Sequence, residues 1–248
     1  MIDFKVLTLN IHKGYSMSNR HFTLDKIKQC LKLSRSNIVF LQEVSGDNER
    51  QKDVIPNWSD NNQFEFLADS IWDHFAYGKN AIYQHGHHGN AILSEIPFSR
   101  LHNLDVSTMR ISQRGILHGQ LENGTHLLCA HLGLFERERR SQVQKLIAYA
   151  KANIGATEPL IMAGDFNDWR RKAHLQLCKE LDLVEVYQAQ HGQVASTFPA
   201  MFPALPMDRI YVRGFKVSSA DVMTSREWRS ISDHCALTAD ISLCRGSD

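Results

Sequence analysis

No stretch of this 248-residue chain is long and apolar enough to cross a bilayer as a helix. Clustered cysteines are missing too. Cys30, Cys129, Cys178, Cys235 and Cys244 are scattered and odd in number, which argues against a disulfide framework or a zinc finger and for reduced thiols. The opening MIDFKVLTLN lacks the basic region, apolar core and cleavage site of a signal peptide. A cytoplasmic protein is the expectation. Charge of one sign is also scarce: the formal net charge is +1, without the basic excess of dedicated non-specific DNA binders. Composition therefore neither implies nor excludes nucleic acid. No linker, low-complexity tract or short-period repeat interrupts the chain, and 43% hydrophobic content suffices for a sizeable core. A single domain over residues 1–248 is expected.

What is present centres on PLIMAGDFNDW, from Pro159 to Trp169. Leu160 to Ala163 reads as the end of a buried strand, Gly164 as a sharp turn, and Asp165 and Asn167 as side chains projecting into one pocket. A plain surface turn is the competing reading. Phe4 to Ile11 reads as a strand largely apolar on both faces until Asn10, and Asn37 to Val44 as a β-branched and aromatic strand with Glu43 at its C-terminal end. Thr23 is placed to cap a helix with Leu24, Ile27 and Leu31 on one stripe. Residues 45–62 read as a loop, Phe64 to Ala68 as a strand, and the Asp69 to Gly86 segment as ambiguous. Strands follow at Asn90 to Ser94, Leu101 to Val106, Gly115 to Leu121 and Thr125 to His131, the last two joined by a Glu122-Asn123-Gly124 hairpin. Phe135 to Ile154 is helical, Leu175 to Leu181 a short helix, and Ile210 to Val212, Phe215 to Val222 and Cys235 to Leu243 are strands. With too many strands for simple βαβ alternation, two packed mixed sheets with helices outside are expected.

Polar residues recur at strand ends: Asn10, Glu43, His131, Asp165 with Asn167, Asp208, and Ser232-Asp233-His234. Singly, each has an ordinary reading. Asn10 and Glu43 suit caps or ion pairs, His131 a hydrogen-bonded core histidine, Asp208 with Arg209 a surface ion pair, and Asp233 a helix cap. Jointly they supply hard oxygen ligands suited to Mg²⁺ and an Asp–His pair able to handle a proton.

TLNIH, LQE, GNAILS, AHLGL, GDFN, MDRIYV and SDH, in that order, resemble the motifs of the endonuclease/exonuclease/phosphatase superfamily over residues 10 to 234. NIHKG, the GHHGNAILS strand and DFNDWR resemble its bacterial YbhP-type branch more closely. The resemblance implies an α/β, DNase I-like fold, a four-layer sandwich of two mixed β-sheets flanked by helices. It implies Mg²⁺, with Mn²⁺ as a substitute, held by Glu43 with help from Asn10 and with Asp233 close by. Asp165 and Asn167 would position or deprotonate the attacking water. His234, oriented by Asp208, would contact the scissile phosphate, and His131 would donate to a phosphate oxygen. Whether Asp165 or His234 is the base stays open. Three departures stand out. His12 and AHLGL replace an Asp and a Tyr-x-Pro-Asn segment of exonuclease III-type repair enzymes, arguing against abasic-site cleavage. Cys235 follows SDH where Pro is usual.

GDFNDWR also resembles calcineurin-type metallophosphoesterases, but their early Asp-x-His and their Gly-Asn-His are missing. His85, His87 and His88 suit a soft metal or, better, a polar loop entering a strand. Arg170-Arg171-Lys172, Arg110 with Arg114, and Arg226 with Arg229 around Trp228 read as solvated loops or, if they face the pocket, as a compact positive rim. Trp228 would then pack on a lipid headgroup or a base. The expected activity is hydrolysis of a small or lipid-linked phosphodiester. A nuclease is the alternative, and a non-catalytic binding module of the same fold ranks below both, because Glu43, Asp165, Asp233 and His234 are all retained.

Overall fold

The computed structural model describes residues 3–17, 21–48, 62–83, 86–108 and 112–244. The first sheet holds β1 (Asp3–Asn10), β2 (Ile38–Asn48), β3 (His74–Tyr83), β4 (Gly86–Ser94), β11 (Phe215–Val222) and β12 (Leu237–Leu243), in the order β11-β12-β1-β2-β4-β3. The second holds β5 (Phe98–Asp105), β6 (Gly115–Leu121), β7 (His126–His131), β8 (Leu160–Asp165), β9 (Val184–Glu185) and β10 (Asp208–Arg213), in the order β5-β6-β7-β8-β10-β9. Both are mixed: β1 runs parallel to β2 and antiparallel to β12, and β7 parallel to β8 and antiparallel to β6.

The period-two pattern of the strands builds the layers. Phe4, Val6, Ile38 and Phe40 face Leu127, Cys129, Ile161, Ala163 and Ile210 between the sheets. Their alternates Leu7, Leu9, Val39 and Leu41 pack outward on Ile27 and Leu31 of α1 (Leu24–Ser34) and Leu67 of α2 (Gln63–Ala68). On the far side, Leu128, Leu160 and Met162 meet Val143 and Leu146 of α3 (Glu136–Asn153) and Leu177 of α4 (Lys172–Leu181). Each such aliphatic or aromatic burial contributes about 2 kcal/mol. The result is the four-layer α/β sandwich anticipated above.

Three local expectations are corrected. Residues 63–68 form α2 and not a strand: Phe64, Leu67 and Ala68 bury one helical face, and the Glu65 carboxylate accepts the Asn62 N–H at 3.2 Å. The alternating Phe64 and Phe66 imitate strand period. Thr23 does not cap α1 with its side chain; its hydroxyl donates to Gly14 O and Ile231 O, tying the loop after β1 to the segment before His234. Trp228 of α5 (Arg226–Arg229) is buried in the outer core against α1 and offers no surface to a headgroup or a base. Residues 45–48 extend β2, while residues 49–61 of the expected loop, His85 and Arg110 lie outside the described residues. Within the ambiguous segment, His74–Tyr83 forms β3.

Behind the second sheet, His118 Nε2 lies 2.9 Å from His126 Nδ1, and His118 Nδ1 lies 2.8 Å from the Tyr149 hydroxyl. Burial, with the neighbouring His126 adding to it, pulls the His118 pKa down from 6.5 to about 4. Burial lowers His126 as well, though Glu158 opposes it. The folded state therefore holds His118 neutral while the unfolded chain protonates. Stability from this group is intact above pH 6.5 and falls as the pH drops from there towards 4, by up to about 3 kcal/mol. Denaturant titrations across that window should show the loss, and His118→Asn should flatten it. A variant with the wild-type slope would mean that other groups cause the acid sensitivity.

Candidate functional site

The inner faces that carry the core change character at one end of the sandwich. Along β1 the inward series runs Phe4, Val6, Thr8, Asn10, and along β8 it runs Ile161, Ala163, Asp165. β10 begins it with Asp208, ahead of Ile210 and Val212, and β7 ends it with His131. Register sets these polar ends abreast, with His131 opposite Asp165 and Asp165 opposite Asp208. Gly164 serves this alignment, though not as a turn. It lies within β8 at φ +145°, and a Cβ there would sit 1.9 Å from Ala130 O of β7.

Asp165 is the hub. Its Oδ2 accepts the Asn10 amide at 3.1 Å and lies 3.6 Å from His131 Nε2 and 3.9 Å from His234 Nε2. Its Oδ1 accepts the Asn167 N–H at 3.0 Å, and the Asn167 amide donates to Leu132 O at 2.9 Å. His234 Nδ1 lies 2.8 Å from Asp208 Oδ2, which also accepts the Thr197 hydroxyl at 2.6 Å. Ser232 holds the loop in place: its hydroxyl donates to Asn10 O at 2.6 Å and receives the His234 N–H at 3.2 Å.

All three of Asp165, Asp208 and His234 are buried, and their ligand-capable atoms lie within 4.8 Å of one another. Such a group can hold a metal ion. Burial raises the Asp165 pKa from 3.8 to about 7; Asp208 adds to the rise and His234 opposes it. For His234 burial acts downward, but Asp208 and Asp165 outweigh it and raise the imidazole from 6.5 to about 10. His131, buried and near Arg114 and His88, is pushed well below 6.5 and stays neutral. Asp208 Oδ1 is buried with no hydrogen-bond partner, an acceptor in excess.

Glu43 and Asp233 stand outside that trio. Glu43 sits at φ +55°, where the β2–β4 register shifts between Leu41 and Val44, a bulge that re-aims a side chain. Its carboxylate is 3.9 Å from Lys13 Nζ. Asp233 Oδ1 is 3.7 Å from His12 Nδ1. His12, Lys13, Glu43 and Asn167, all with φ between 47° and 56°, gather uncommon left-handed backbone around the strand ends.

The ordinary readings of single residues fare unevenly. Asp208 and Arg209 are both fully buried, so they are not a surface pair; Arg209 instead donates to Asp168 O at 2.9 Å. Arg170 at 3.1 Å, and Lys172, turn onto Glu136 of α3, and do not join a rim. Two residues escaped the sequence reading. Thr197 holds Asp208, and Asp168 accepts the Lys172 and His174 N–H groups at the start of α4. Thr197 carries no local signal, whereas the second Asp of GDFND could have been read as a helix cap.

A sequence model of the Endonuclease/Exonuclease/phosphatase family matches residues 7–234. The chain belongs to that family. It is 42% identical over 245 residues to the uncharacterized protein YbhP of Escherichia coli K12, covering 97% of this chain and 96% of that protein. Among solved structures, an endonuclease/exonuclease/phosphatase from Beutenbergia cavernae superposes with a TM-score of 0.80 at 18% identity, over 98% of this chain and 72% of that one. D. rerio TDP2, complexed with a single-strand DNA product, gives 0.67 at 16% identity, over 97% and 99%. These two likenesses concern the fold.

Proposed function

We propose that this protein is a divalent-cation-dependent phosphoesterase that hydrolyses a phosphodiester with water. The convergence of Asp165, Asp208 and His234 in one buried pocket at the strand ends carries the reading. Asp165, with a pKa near neutrality, takes the proton of the attacking water, and Asn167 keeps its carboxylate aligned. His234, held protonated by Asp208, presents Nε2 to a phosphoryl oxygen. Neutral His131 donates to a second oxygen.

A cation suits the residues around this trio. Asn10, Glu43 and Asp233 are oxygen donors, and the ion pair that the re-aimed Glu43 carboxylate makes among the described residues is a 3.9 Å approach from Lys13. The shared His234–Asp208 hydrogen bond makes the trio itself the proton-handling part, so Glu43, with Asn10 and Asp233, would hold Mg²⁺ or Mn²⁺. A bound cation would neutralise phosphoryl charge and assist the leaving oxygen.

The fold likeness to a protein holding a DNA product favours a nucleic-acid phosphodiester as substrate. Burial of Trp228 removes one contact expected for a lipid headgroup. Purified protein with Mg²⁺ should cleave single-stranded oligonucleotides faster than phosphodiester lipids, with activity falling as salt rises. Faster lipid turnover would reverse the order.

Activity should vanish in chelator and return with Mg²⁺ or Mn²⁺. Glu43→Gln should raise the metal concentration for half-maximal rate and lower the rate about 100-fold or more, with the circular dichroism spectrum unchanged. Full activity in chelator would refute the metal dependence.

A further inference from the structure

Resting on the phosphoesterase reading, we infer that Arg114 grips a phosphate of the substrate and that the cavity it shares with Lys79 receives the next phosphate of a nucleic-acid strand. Arg114 immediately precedes β6, and its backbone is pinned on both sides. Its N–H donates to Ser107 Oγ at 3.0 Å, and its carbonyl accepts from Val106 N at 3.0 Å. The side chain is half-buried, its Nε is buried without a hydrogen-bond partner, and no carboxylate pairs with it among the described residues. Arg170, Lys172 and Arg139 differ in each having an acidic partner. A guanidinium fixed at its base, with an unpartnered Nε and no carboxylate paired with it among the described residues, has the form of a phosphate fork.

Two cavities meet at this side chain. One, of about 250 Å³, reaches His88, Leu134 and Phe135; the other, of about 530 Å³, is lined by Lys79, Asn80, Asn103 and Asp105; both include Gln113. Arg114 also lies near enough to the site for its charge to act on His131 and His88. In the larger cavity the Asn103 amide donates to Lys79 O at 3.1 Å and to Asn80 Oδ1 at 3.2 Å, fixing that wall. Asp105 is occupied by the Ser107 N–H at 2.8 Å, which leaves the exposed Lys79 ammonium as a second point for an anion. Among the described residues no aromatic ring lines this cavity, which favours a sugar–phosphate backbone over a stacked base.

Two substrates separate the roles: bis(p-nitrophenyl) phosphate, with one phosphate, and a single-stranded tetranucleotide. Arg114→Gln should lower kcat/KM on both by about 30-fold or more, with partial rescue in Arg114→Lys. Lys79→Gln should raise KM for the tetranucleotide several-fold, with a smaller effect on the aryl ester, and reduce the salt slope of tetranucleotide turnover by about one. Binding of a cleavage-resistant phosphorothioate tetranucleotide in Mg²⁺, followed by fluorescence anisotropy, reads the grip without turnover. It should weaken at least 5-fold or so in Arg114→Gln, given equal melting temperatures. No binding by the wild type, equal binding by the Arg114 variant, or a Lys79→Gln defect as large on the aryl ester as on the tetranucleotide would overturn the inference. Binding that depends on Arg114 with neither ester hydrolysed would uphold the grip and remove the phosphoesterase reading. Hydrolysis indifferent to Arg114 would do the reverse.

Discussion

Asp165→Asn is expected to lower kcat/KM by about 10³-fold while leaving the metal-free protein as stable as wild type or more so at pH 8. The two effects share one cause. Burial raises the Asp165 pKa from 3.8 to about 7, so ionising this carboxylate works against the fold. The sign follows from linkage: the group's contribution to stability is greatest below pH 3.8 and is lost as the pH rises through 7. Asn carries no charge to desolvate. It retains an oxygen for the Asn167 N–H now bonded at 3.0 Å but turns an NH2 group towards the Asn10 amide and the protonated His234. That offsets part of the gain and leaves it on the order of 1 kcal/mol at pH 8. Catalysis needs the ionised form, since only a carboxylate can take the proton of water. The wild-type rate should therefore fall on the acid side of neutrality, and a cation held by Glu43 would move that limb lower still. Kinetics and denaturant midpoints on one preparation check both halves. Lower stability with a normal rate would identify Asp165 as a structural residue only.

Much of this arrangement could be read from the chain because one rule serves both core and site. Alternation puts Phe4, Val6 and Ile161 between the sheets, and it puts Asn10 and Asp165 there too, one or two steps further along the same strands. A strand that turns polar on its buried face announces a pocket. What alternation cannot show is which strands lie side by side. The register of β7, β8 and β10, which sets His131, Asp165 and Asp208 abreast, depends on pairings between residues about thirty to forty positions apart, His131 with Asp165 and Asp165 with Asp208. Thr197 was invisible for the same reason: it meets Asp208 through a loop that folds back on itself. The basic groups misled in a different way. Arg170 and Lys172 look like a rim in sequence, yet Glu136, more than thirty residues earlier, claims them. Charge patterning names candidates, and only tertiary partners decide which stay available. Trp228 fails alike, because its neighbouring arginines suggested a surface while Ile231 and Ala236 share its core.

The double variant Asp208→Asn/His234→Ala should be little worse than His234→Ala alone, although each single change costs a factor of about 10²–10³ in kcat/KM. A 2.8 Å contact joins His234 Nδ1 to Asp208 Oδ2, and Thr197 holds that oxygen from the other side at 2.6 Å. Against the downward pull of burial, Asp208 is the largest influence raising His234 to about 10. Without the imidazole, the carboxylate has nothing to orient, so its further removal should change little. The pair also marks the stability curve. A raised imidazole stabilises the fold fully below pH 6.5 and loses that contribution as the pH climbs through 10. Asp208→Asn removes the main attraction for the proton while leaving the ring in place. The pKa then moves down, and the alkaline loss of activity should shift towards neutrality. Thr197→Val gives an intermediate case, since it frees the carboxylate to turn but leaves its charge. Measured over pH 6 to 10, the four rates form a cycle whose coupling reports the pair directly. Effects that multiply in the double variant would show that Asp208 and His234 act independently, and would leave the buried hydrogen bond a purely structural contact.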